Sequence, residues 1–128
     1  MATATLCIVI LGLLVFGLGV GVSAQRGKTK TAAGYPDDPA SPLYKWVRAH
    51  GNTVEYAPML AVLMLALGAR PPAAWVEWTM IAATLARILF AIGLITGPTM
   101  AQGNPLRFVG AVGTYLTGLV LCVALFLT

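Results

Sequence analysis

Charged residues are scarce in this chain. Only 9% of its 128 residues are Asp, Glu, Lys or Arg, whereas 59% are hydrophobic and the mean hydropathy is +0.86. A soluble domain carries roughly 25% charged residues. This composition argues against a soluble protein, and the short length leaves room for one domain only, residues 1–128. We therefore predict a single-domain, polytopic membrane protein.

Cysteine and histidine are also rare. Cys7 and Cys122 lie near opposite ends of the chain in apolar surroundings, and His50 is the only histidine. No CxxC motif or His/Cys cluster has the spacing of a metal site, so no metal is expected. The eight Lys and Arg residues form no dense tract. The net charge of +4 is therefore assigned to membrane loops rather than to nucleic-acid binding.

Four apolar segments predict four membrane-spanning helices, at about 2–25, 43–69, 73–96 and 106–128, because roughly 20 apolar residues cross a bilayer. A cleaved signal peptide is the alternative for the first segment. It is disfavoured because the opening residues carry no cation and the apolar run is too long. Three prolines between Tyr35 and Pro42 make the first connection a loop. The predicted fold is an all-α, up-down four-helix bundle.

The cations indicate how the bundle lies in the membrane. The first loop is flanked by five of them, Arg26, Lys28, Lys30, Lys45 and Arg48. The second loop is flanked only by Arg70, and the third only by Arg107. Cytoplasmic loops carry the excess of Lys and Arg. We expect the first and third loops in the cytoplasm and both termini outside, in a bacterial inner membrane.

Four polar residues share one stripe of the second helix. Relative to Arg48, the positions of Asn52, Glu55 and Tyr56 are rotated by about +40°, −20° and +80° at 100° per residue. Polar groups within a membrane are costly and often mark a function. Structural hydrogen bonding between helices is the alternative explanation.

Arg87 lies in the middle of the third helix, where insertion of an arginine costs about 2.5–3.5 kcal/mol. Glu55 lies nine residues after Trp46, near the cytoplasmic end of the second helix, and Arg87 lies nine residues before Thr96, at that end of the third helix. At 1.5 Å per residue, both are about 13–14 Å deep. We expect them to meet, directly or through a ligand. Arg26, Arg48 and Arg107 should form a ring at the cytoplasmic mouth above them.

Such a ring would receive an anion, and arginine suits carboxylates because its planar fork binds them with two hydrogen bonds. Glu55 offers a partner for an ammonium group. A small zwitterion with several carboxylates and one amine fits this set.

The segment Arg48-Ala-His-Gly-Asn52-Thr-Val-Glu55-Tyr56-Ala-Pro58 resembles the second-helix signature of the MAPEG proteins, the membrane-associated proteins in eicosanoid and glutathione metabolism. The resemblance covers nearly the whole chain, including four spans and arginines in the third and fourth helices. The compact form resembles a bacterial member.

The resemblance implies a homotrimer that binds glutathione between neighbouring protomers. Its implied glutathione-binding residues are Arg48, His50, Asn52, Glu55, Tyr56 and Arg87, with His50 reaching from the neighbour. Arg26 would approach the ligand from the first helix, and Arg107 would stabilise the glutathione thiolate. A thiol with a pKa of about 8.5 is mostly protonated at neutral pH, so a nearby cation creates the nucleophile.

The expected function is therefore that of a membrane-bound glutathione transferase or peroxidase acting on lipophilic electrophiles or lipid peroxides. A non-catalytic MAPEG-fold binding protein is the alternative. It is favoured by Phe90 and Leu94, which stand where well-studied glutathione-dependent members carry tyrosine. A small multidrug transporter would need a carboxylate in the first helix, and residues 1–25 contain none.

Overall fold

The computed structural model describes residues 1–128 as four helices without strands. The helices are α1 (Ala2–Thr29), α2 (Pro42–Gly68), α3 (Ala74–Thr96) and α4 (Pro105–Phe126), against sequence-predicted ranges of 2–25, 43–69, 73–96 and 106–128. The main difference is at the end of α1, which continues past residue 25. Its last turn holds Arg26 and Lys28, and cations there interact favourably with the helix dipole.

Close contacts at small residues fix the directions of α1 and α2. Gly21, near the end of α1, lies against the Trp46 ring at the start of α2. Gly68, at the end of α2, meets Ala4 at the start of α1. The two helices are therefore antiparallel. The absence of a Cβ at each glycine is what permits this separation, as is common between membrane helices.

Helices α3 and α4 pair in the same way. Gly110 of α4 lies against the backbone of Phe90, and Gly93 of α3 lies against the backbone of Arg107. A proline at N1 and the Asn104 side chain, which accepts a hydrogen bond from the Arg107 backbone N–H at 2.9 Å, begin α4. Both devices are typical of helix N-termini.

The apolar core lies toward the end of the bundle that holds the second loop, residues 69–73. Its most buried members come from all four helices: Leu11, Met64, Met80 and Leu121. Large apolar side chains such as Phe16 and Leu119 are exposed on the outside. An apolar outer surface of this kind marks a face that contacts lipid or another protein subunit.

Three helices, α1, α3 and α4, are long and apolar enough to cross a membrane. Helix α2 has 27 residues, and its first half carries Lys45, Arg48 and Glu55. The all-helical membrane bundle expected from the sequence is confirmed. The polar residues of the predicted site are therefore concentrated on α2, the helix that is less apolar than the other three.

The first and third loops meet at the opposite end of the bundle from the second loop. The Met100 backbone N–H donates to the Pro39 carbonyl at 2.8 Å. The Lys45 ammonium donates to the Gly97 carbonyl at 3.0 Å. These two bonds fix the loops above the part of α2 that carries the polar stripe.

Candidate functional site

Arg87 is the most deeply buried charged group of the molecule, with 1% of its surface exposed. Its Nη2 donates to Asn52 Oδ1 at 2.8 Å and to Thr53 Oγ1 at 3.4 Å, and its Nη1 donates to Thr114 Oγ1 at 3.4 Å. The Nε atom is buried without a hydrogen-bond partner. The guanidinium thus joins α2, α3 and α4 through neutral oxygen atoms.

Aromatic rings complete the surroundings of Arg87. The guanidinium carbon lies 5.3 Å from the centre of the Tyr56 ring and 5.0 Å from that of Phe90. Cations within about 6 Å of a ring face are stabilised by its quadrupole. Tyr56 also packs against Tyr115 of α4, with ring centres 5.7 Å apart. Ring faces and hydroxyls therefore stabilise this cation where a carboxylate was expected.

Glu55 and Arg87 were expected to meet directly or through a ligand, and within the protomer they make no direct contact. Asn52 lies between them: its Nδ2 is 3.5 Å from Glu55 Oε2, while its oxygen accepts from Arg87. Counting residues placed both groups at one depth but not on one side of α2. Asn52 and Thr53 face α3. Around the helix axis, Glu55 is rotated by about 110° from the mean direction of these two residues, and it is therefore exposed.

The stripe itself lies on the outside of α2. Arg48 and Glu55 are exposed, and Asn52 and Tyr56 are half-buried. A cation, an amide, a carboxylate and a phenol thus follow one another along two turns of the helix. This surface can bind a ligand that carries both negative and positive groups.

Arg26 and Arg107 lie at the same end of the bundle as Arg48, but each has its own partners. Arg26 Nη1 donates to the Ala32 carbonyl at 2.9 Å. Arg107 Nη1 donates to the carbonyls of Met100 and Gln102 at 3.1 and 3.0 Å. The structure therefore holds both guanidinium groups against neighbouring loops and does not bring the three arginines into contact.

A family model described as the MAPEG family matches residues 4–127, nearly the whole of the four helices. The chain belongs to the MAPEG family. The resemblance seen in the second-helix signature is thereby confirmed. No curated protein matches the chain.

His50 occupies a different side of this MAPEG protein from the stripe. It is half-buried, and its Nε2 would lie 3.4 Å from a Cβ placed on Gly19 of α1. The protomer therefore packs His50 into the contact of α1 with α2. It is not brought together with Asn52 or Arg87.

An apolar groove of about 310 Å³ runs between α2 and α4. It begins at Tyr56 and Tyr115, and it continues past Met59 and Leu63 to Cys122. The end of the groove that lies nearest the first and third loops is formed by Tyr56, so the groove adjoins the polar stripe. It can take an apolar molecule beside a ligand bound at the stripe.

Two residues of the Arg87 cluster, Thr53 and Thr114, were not expected from the sequence. Thr53 follows Asn52 directly, and Thr114 follows Arg107 by seven residues, which is about two helical turns on the same face. Their buried hydroxyls also donate within their own helices, to the carbonyls of Ala49 and Gly110. The signal that could have identified them is a threonine within a membrane helix, at a position from which its hydroxyl can bond to an arginine of a neighbouring helix.

Proposed function

We propose that this MAPEG protein is a membrane-bound glutathione transferase or peroxidase that activates the glutathione thiol against lipophilic electrophiles or lipid peroxides. The observation that supports it best is the outward stripe of Arg48, Asn52 and Glu55. Glutathione carries two carboxylates, one ammonium group and peptide amides. The stripe supplies a matching cation, amide and carboxylate along one helix face.

Each stripe residue has a distinct part in this proposal. Arg48 pairs with a glutathione carboxylate, Glu55 accepts from the ammonium group, and the Asn52 amide bonds to the peptide. Tyr56 lies at the end of the apolar groove nearest the first and third loops. The bound tripeptide is thus oriented by its charged ends, which leaves the thiol free for Arg107.

Arg107 is the residue proposed to activate the thiol. Both of its side-chain hydrogen bonds come from Nη1, so Nε and Nη2 remain for an anion. A cation beside a thiol lowers its pKa and raises the thiolate fraction. The sulfur then forms a bond to an electrophilic carbon as the leaving group departs. With a peroxide, two thiols give a disulfide, an alcohol and water.

The lipophilic partner enters from the bilayer in this proposal. The groove between α2 and α4 is lined mainly by apolar side chains and is open at the surface of the protomer. An apolar molecule there would lie next to the stripe without crossing water. This arrangement suits substrates that dissolve in the membrane.

The complete site is proposed to form between the protomers of a homotrimer. His50 and Arg26, at the first-loop end of the bundle, would contribute to the binding of glutathione there. Exposed Arg48 and Glu55 would then be covered by the neighbouring protomer, which makes their charge interactions stronger than in water. The first and third loops, which meet above the stripe, are predicted to face the cytoplasm.

A non-catalytic binding protein of the same fold is the second candidate. Phe90 packs on the Arg87 guanidinium, and Leu94 is buried. Neither can donate a hydrogen bond to a ligand. In this case glutathione binds at the stripe without a chemical step.

Calorimetric titration of glutathione into the purified, detergent-solubilised protein tests the proposal. We expect saturable binding that is lost in Arg48→Ala, because the carboxylate loses its charged partner. Lys28→Ala, which removes an exposed cation outside the stripe, is the matched control and should bind as the wild type does. Absence of binding at millimolar glutathione would refute the glutathione assignment. Binding without conjugation or peroxide reduction would favour the non-catalytic alternative.

A further inference from the structure

Arg87 is too deeply buried to meet a ligand that approaches the outer face of α2. Only 1% of its surface is exposed, and Tyr56 and Phe90 lie over its guanidinium. Its shortest hydrogen bond, 2.8 Å, is to Asn52. Arg87 therefore contacts the stripe at two side chains, the Tyr56 ring and the Asn52 amide, and only the amide is held by a hydrogen bond.

The chemistry of the two side chains fixes how the Asn52 amide is turned. A guanidinium group only donates hydrogen bonds, whereas an asparagine amide has one accepting oxygen and one donating nitrogen. The atom that faces Arg87 must therefore be Oδ1. The opposite orientation would place two donors against each other within a buried cluster, where an unmet hydrogen bond is costly.

The other end of the amide consequently faces outward. Asn52 Nδ2 is 3.5 Å from Glu55 Oε2, which is long for a hydrogen bond. Its N–H groups are thus held in the stripe, between Arg48 and Glu55 in sequence, with no short bond of their own. They can donate to an acceptor on a ligand.

We propose that Arg87 is a positioning residue that acts on glutathione through Asn52. It holds the amide with its N–H groups facing outward, so that they donate to a carbonyl or carboxylate oxygen of the tripeptide. This inference rests on the proposed glutathione site. It assigns Arg87 a part different from that of Arg48, which is exposed and can touch the ligand.

A double-mutant cycle tests whether Arg87 acts through Asn52. Arg87→Met removes the donors and keeps an unbranched side chain. We expect the glutathione Kd to rise about tenfold in the wild-type background, as for the loss of one hydrogen bond to a ligand. In the Asn52→Ala background, where no amide remains to be positioned, the same substitution should change Kd less than about twofold.

Equal losses in both backgrounds would overturn the proposal, because they would mean that Arg87 acts on the ligand directly or by supporting the fold as a whole. Thr84→Val is the control for buried polar groups of α3: its hydroxyl bonds only to the Met80 carbonyl of the same helix. We expect it to leave the glutathione Kd unchanged.

A measurement on the unaltered protein covers the case in which Arg87→Met does not fold. The chain has two asparagines, Asn52 and Asn104, so selective ¹⁵N labelling gives two side-chain amide signals. Asn104 is held at both ends, by Gly93 and by the Arg107 backbone, and serves as the reference. In ligand-free protein, the Asn52 amide protons should show only weak nuclear Overhauser contacts to the Arg87 guanidinium, because Oδ1 lies between the two sets of protons, and contacts to the Glu55 side chain that are at least as strong.

Strong contacts from those protons to Arg87, with weaker ones to Glu55, would show the opposite amide orientation and overturn the inference. Added glutathione should then shift the Asn52 amide signal; an unchanged signal during saturable binding would equally overturn it. A correctly oriented amide in a protein that binds no glutathione would refute the proposed function while leaving the orientation by Arg87 intact. The two failures are therefore distinguishable.

Discussion

The two halves of α2 differ in what their sequence specifies. The half after Pro58 is apolar, and Leu60, Leu63 and Met64 are buried in the core shared with the other helices. The half before it carries the polar stripe and the amide bonded to Arg87. One half therefore packs in the core of the bundle, and the other carries polar and charged side chains at its surface. Substitutions in the two halves should affect different measurements.

The largest expected effect is in the apolar half. Met64 has 0% of its surface exposed, and Met64→Ala leaves a cavity that should cost about 2–5 kcal/mol of folding free energy. The thermal unfolding temperature in detergent should fall while the glutathione Kd of the folded protein stays the same. A large change in Kd without loss of stability would contradict the division of α2.

The next largest effect is expected for Arg107→Ala. Without the cation, the pKa of the bound thiol rises toward its ordinary value of about 8.5, so the thiolate fraction at neutral pH falls. Turnover at pH 7 should drop at least about tenfold and recover as the pH rises. The check is a pH–rate profile with a fixed electrophile. An unchanged profile would remove Arg107 from the thiol site.

A smaller effect is expected for Glu55→Gln. The amide cannot form an ion pair with the glutathione ammonium group, so Kd should rise about tenfold with stability unchanged. Glu77→Gln is the matched control, since Glu77 is the other helix-borne acid and lies in the first turn of α3, near the second loop. Similar losses in both variants would indicate a general effect of negative charge rather than a site.

The sequence predicted the four helices because long apolar segments and proline-rich connections leave few alternatives. It also identified the stripe, since the spacing of Arg48, Asn52 and Glu55 places them on one helix face. It did not predict which side of that stripe faces α3. Residue counting gives depth along a helix, but its rotation follows from packing, which here directs Asn52 and Thr53 toward Arg87.

The partners of Arg26 and Arg107 could not be predicted for a similar reason. Both guanidinium groups bond to backbone carbonyls of adjacent loops, and a carbonyl has no sequence signature. The meeting of the first and third loops likewise depends on backbone atoms of Pro39 and Met100. Side-chain patterns therefore located these arginines at the correct end of the bundle without giving their contacts.

The most direct measurement is the glutathione Kd of wild type, Arg48→Ala and Met64→Ala, determined side by side by calorimetry together with their unfolding temperatures. We expect saturable binding in the wild type, loss of binding with retained stability in Arg48→Ala, and retained binding with lower stability in Met64→Ala. No binding in the wild type, or equal loss of binding in both variants, would contradict the assignment of the glutathione site to the polar half of α2.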